Sequence, residues 1–156
     1  NCELLGRCWG DVDLSRSDAY GFRSMAGGID GFSVTRPVHT AMPVRSLFSS
    51  ILAKESAAFV VEADLAEQNH EDRLLLQLID KETLDEEQVR DQLRVLHLRV
   101  LGEERPIDST EVDESYALWE ALLELTATPS KPDGDTQRTW SLVLGAMLDD
   151  VAALYY

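Results

Sequence analysis

The amino-acid sequence predicts an all-α fold: a helical bundle of about five helices preceded by a glycine-rich irregular N-terminal segment. Three observations predict it. From Pro43 onward, apolar residues recur at intervals of three and four, the spacing that lines one face of a helix. Start and stop signals punctuate that pattern at Asn69, Thr83, Gly102, Asp108 and Asp135. Six of the nine glycines (Gly6, Gly10, Gly21, Gly27, Gly28 and Gly31) fall in residues 1–41, where they mark turns. A chain of 156 residues suits a single domain, one that buries roughly 70% of its unfolded surface. Residues 1–156 therefore read as one helical domain, irregular over 1–41 and helical over 43–156.

Each helix has its own warrant. The first is expected over residues 44–65, with Pro43 suited to its first turn and Leu47, Ile51, Leu52, Ala58 and Phe59 on its stripe. Asn69 is an N-cap type, Glu71 and Asp72 suit a first turn, and Leu74, Leu75, Leu78 and Ile79 give a short second helix its apolar face. A third opens on a capping box, Thr83 with Glu86; its stripe is Val89, Leu93, Leu96 and Val100, and Gly102 stops it. The fourth starts at Asp108-Ser-Thr-Glu111 and buries Val112, Tyr116, Trp119, Leu122 and Leu123. After the turn-rich residues 128–134, Asp135 or Thr136 caps the last. That helix carries Trp140, Val143, Leu144, Met147, Leu148, Val151 and Leu154 on one side.

Charge narrows the function classes. Residues 1–54 hold 5 acids and 6 bases, and residues 55–156 hold the other 24 acids and 8 bases, so +1 and −16 add to the net −15. Such a chain repels phosphates, which argues against nucleic acid and anionic membrane surfaces. No run approaches the ~18 apolar residues of a membrane span. Many acids fall at helix starts, where they oppose the positive end of the helix dipole.

Catalytic constellations are hard to find. His39, His70 and His97 show no paired metal-ligand spacing and no C-x-x-C-H. His97 shares a helix face with Leu93 and Leu101 and reads as a half-buried structural residue. There is no G-x-S-x-G, and Gly27 to Gly31 form a tight loop rather than a phosphate cradle. Asp11, Asp13 and Asp30 offer loop oxygens without the calcium-loop register. No cofactor and no metal site are implied, and the chain leans away from being an enzyme. Cys2 and Cys8, the only cysteines, fit a disulfide of an exported protein, and a chain starting at Asn1 fits removal of a preceding segment. Residues 36–45 carry Arg36, Pro37, His39 and Arg45 with no acid. They are candidate interaction residues, as are the terminal Tyr155 and Tyr156.

Two patches bear a resemblance. One is Gly27-Gly-Ile-Asp-Gly-Phe-Ser-Val-Thr-Arg-Pro37 with Val60-Val-Glu-Ala-Asp64 after it. The other runs from Leu98-Arg-Val-Leu-Gly-Glu-Glu-Arg-Pro106 through Glu111-Val-Asp-Glu-Ser-Tyr-Ala-Leu-Trp119 to Trp140-Ser-Leu-Val-Leu-Gly-Ala-Met-Leu148. Together they resemble the uncharacterised helical domains that accompany c-type cytochrome modules in exported bacterial proteins. The resemblance implies an exported, periplasmic or cell-surface helical domain, an accessory subunit of a redox assembly. The chain departs from the full pattern in lacking C-x-x-C-H, so haem attachment does not carry over, and no catalytic residue comes with the resemblance. The leading expectation is a non-catalytic interaction subunit with a protein partner. The alternatives are a haem- or metal-dependent redox subunit using His39, His70 or His97, and an acidic inhibitor or immunity-type protein that masks a basic site.

Overall fold

A computed structural model describes residue 36 and residues 43–150 of the chain. The described residues are helical and hold four α-helices: α1 (Pro43–Ala66), α2 (Glu86–Leu101), α3 (Thr110–Thr126) and α4 (Thr136–Asp149). None is long and apolar enough to cross a membrane. The N-terminal segment expected to be irregular lies outside the described residues, apart from an exposed bend at Arg36.

Local chemistry sets the boundaries. α1 opens on Pro43, whose missing N–H costs nothing in a first turn. Ser109 caps α3 by accepting from the Val112 amide, and Asp135 caps α4 by accepting from the Arg138 amide. α2 stops at Gly102, which adopts the left-handed conformation at φ 68°. Its start corrects the sequence reading. The cap is Asp85, which accepts from the Gln88 amide, and not Thr83. The Thr83 hydroxyl instead accepts the Asp80 N–H at 2.9 Å, closing the turn before the helix.

α4 is the centre of the bundle. It packs along α1 and α3 and touches α2. It runs antiparallel to α1, since Ser50 of α1 donates to Asp149 and Gly145 lies against Lys54 and Ala57. Ala53, Ala57 and Gly145 keep this crossing close. The core joins Ala57, Val61 and Leu65 of α1 to Val89, Leu93 and Leu96 of α2, with Trp119 of α3 and Trp140, Val143 and Leu144 of α4. Tyr116, Trp119 and Trp140 follow in series with 6.0 Å between successive ring centroids, the first pair stacked at 19° and the second tilted at 50°. The Arg90 guanidinium covers the outer face of Tyr116 at 4.6 Å.

The second expected helix does not form. Asn69 does cap a turn there, but it is a single 3-10 turn over His70–Asp72. Residues 73–85 then run as an irregular strap that crosses from α1 to α2 and buries Leu76 and Ile79 in the core. Side chains from elsewhere compete for the strap's backbone groups and win them.

Candidate functional site

The strap is held by three buried polar side chains. Asp64, in the last turns of α1, accepts three consecutive amides: Leu74 at 2.8 Å, Leu75 at 2.7 Å and Leu76 at 2.8 Å. Gln92 of α2 accepts from the Leu78 amide at 3.0 Å and donates to the Leu75 carbonyl at 2.9 Å. Arg73 folds back to donate to the carbonyls of Glu67, Leu76 and Ile79, and to the Asp80 carboxylate at 2.8 Å. Arg99 adds bonds to the Leu74 carbonyl and the Gln77 amide oxygen. These groups would serve a helical ladder if the segment were helical. Here they satisfy side chains that would be costly to bury unpaired. The Arg73 bond holds the Asp80 carboxyl below its usual range, opposed by partial burial and helped by His70.

The result is a fixed, non-helical segment with a leucine-bearing outer side. Leu74 and Leu78 are 54% and 45% exposed, and Leu84 stands out beyond them. Glu67, Glu71, Asp72, Asp80, Glu82, Asp85, Glu86 and Glu87 surround them in sequence, and all are exposed.

A second polar cluster lies where α2 turns into α3. His97 is buried, and its Nε2 meets the Ser115 hydroxyl of α3 at 2.9 Å. Its Nδ1 has no hydrogen-bond partner and stands 3.8 Å from Glu103 Oε2. Arg105 bridges Glu103 at 3.1 Å and Glu111 at 2.9 Å. Serine, histidine and carboxylate follow one another in the order of a hydrolytic triad. Ser115, however, sits inside α3, so the amides around it are spent on the helix ladder and none is free to stabilise an oxyanion. Burial pushes the His97 imidazole below its ordinary value, with Glu103 pulling the other way. The ring is deeper than the half-buried position expected from sequence.

The candidate residues named from sequence fall mostly elsewhere. Cys2, Cys8, Pro37, His39, Tyr155 and Tyr156 lie outside the described residues. Arg36 is exposed, and Arg45 belongs to the first turn of α1. His70 closes the 3-10 turn onto the strap, with Nδ1 at 3.0 Å from the Gln77 carbonyl and Nε2 at 3.0 Å from Asp80. Among the described residues, no group of three or more His, Cys, Asp or Glu side chains is placed to hold a metal ion. Asp64, Arg73 and Gln92 were missed. A signal existed for two of them: Asp64 falls at a stripe position beside Val61 and Leu65, and Gln92 falls beside Val89, Leu93 and Leu96. No family model, curated protein or solved structure matches the chain.

Proposed function

We propose that the protein is a non-catalytic, exported helical interaction subunit, an accessory of a redox or electron-transfer assembly, that docks to a protein partner through its strap. One observation carries the docking: a non-helical segment is pinned by buried Asp64, Arg73 and Gln92, yet turns Leu74 and Leu78 to solvent. Pre-ordering such a segment removes the entropy that a loose loop would lose on binding. Export and the redox setting rest on the cysteine pair and on the resemblance to domains that accompany cytochrome modules. The partner surface is basic, because the acids flanking the leucines are exposed and repel other anions. That same feature favours the acidic-inhibitor reading, in which the strap covers a basic site. A histidine-ligand reading would have to displace the bonds that His70 makes to Gln77 and Asp80 and that His97 makes to Ser115.

The test is site-specific photo-crosslinking in the native host. A benzoylphenylalanine in place of Leu78 is expected to trap one partner, in a salt-sensitive manner. The same probe in place of Leu125, which is 77% exposed on α3, is expected to trap none. Adducts at both positions alike, or at neither, would overturn the docking surface. Mass spectrometry of the native protein tests export separately, through a Cys2–Cys8 bridge.

A further inference from the structure

Granted that the strap is the docking surface, we propose that it takes an amphipathic helix with an apolar face and basic flanks, and not an extended strand. The backbone of the strap is already engaged. Between residues 73 and 80, six of the eight amides donate within the chain. Seven of the eight carbonyls accept within it. No residue of this stretch offers both groups: the carbonyls of Gln77 and Ile79 are held by His70 and by the buried Arg73 guanidinium, and the Leu78 amide is held by Gln92. A strand that adds to an edge bonds to the amide and the carbonyl of every second residue. The strap has no such edge.

The same deficit constrains the partner. An extended peptide laid over Leu74 and Leu78 would cover its own amides and carbonyls with nothing to pair them, and each buried unpaired group is penalised. A helix arrives with its backbone bonds made and presents side chains alone. Leu74 and Leu78, 54% and 45% exposed, answer with side chains alone. Residues 67–87 contain no Phe, Tyr or Trp, so the strap supplies none of the rings on which proline-rich segments dock. Charge completes the description. Residues 67–87 hold eight exposed acids, three before the leucines and five after them, and Lys81 is the one exposed Lys or Arg there. The helix that suits this surface carries lysine or arginine beside its apolar stripe.

The experiment titrates the full, isotope-labelled chain with two synthetic peptides of about fourteen residues and identical leucine and lysine content, followed by NMR. In one the leucines recur at helical spacing, and in the other they alternate with lysine. The helical peptide is expected to shift the signals of Leu74 and Leu78 and to bind at least about tenfold more tightly than the alternating one. Leu78→Ser is expected to weaken it by about tenfold, with Leu74→Ser as a second reading if that variant does not fold, and Leu125→Ser is expected to leave it unchanged. Equal or tighter binding by the alternating peptide, binding by neither, or shifts centred away from the strap would each overturn the helix. Partner crosslinking at Leu78 combined with preference for the alternating peptide would remove the helix and leave the docking surface. No crosslinking, with both peptides ignoring the strap, would remove both.

Discussion

Asp64 holds three backbone amides of the strap on its two oxygens, as many backbone groups as Arg73 holds through its guanidinium. Asp64→Asn keeps the shape but turns an N–H₂ group towards at least one of those amides. The expected loss is about 2–4 kcal/mol, because unsatisfied buried donors cost about 1–3 kcal/mol each. It should appear as a lower urea midpoint and as faster exchange of the 74–76 amides. A variant as stable as the parent would show that water serves those amides equally well. Gly134 is a second sensitive position. Its φ of 92° lies where side chains are strained, and an added Cβ would sit 2.5 Å from the Leu123 carbonyl oxygen. Gly134→Ala is expected to cost about 2–3 kcal/mol by thermal or urea unfolding.

The elements differ in how far sequence determines them. α3 and α4 were legible because their caps and stripes lie within a few residues of each other, as with Ser109 and Val112 or Asp135 and Arg138, whereas α2 was legible from its stripe and its Gly102 stop, with its cap at Asp85 rather than Thr83. The strap was not legible in this way. Its apolar spacing at Leu74, Leu75, Leu78 and Ile79 suits a helix, but Asp64 and Gln92 claim its backbone from 10 to 17 residues away. Long-range side chains overrode a local pattern, and the candidate site was lost to sequence reasoning for the same reason. The α1–α4 crossing gives an element-scale prediction. A Cβ at Gly145 would meet Ala57 Cβ and Lys54 Cα at 3.7 Å, an ordinary contact. Gly145→Ala is therefore expected to stabilise α4 by up to about 1 kcal/mol through helix propensity. Gly145→Leu should instead force the helices apart and lower the melting temperature.

At the scale of the whole molecule, the net charge of −15 sets a background repulsion. Ion pairs such as Arg90 with Asp113 and Arg105 with Glu111 relieve it only locally. Raising salt from about 0.01 M to 0.15 M shortens the screening length from about 30 Å to 8 Å. The urea midpoint is expected to rise over that range, and a fall would mean that the pairs outweigh the repulsion. The antiparallel contact of α1 with α4 has a consequence for synthesis. Ser50 and its partner Asp149 are 99 residues apart in the chain. At a translation speed of about 5–20 residues per second, roughly 5–20 s separate them as the chain is made. Through that interval the apolar face of α1, with Ala53, Ala57 and Val61, has no α4 to cover it. The bundle is thus completed only when its last described helix leaves the ribosome, and α1 is the face that a holding chaperone would meet in the meantime.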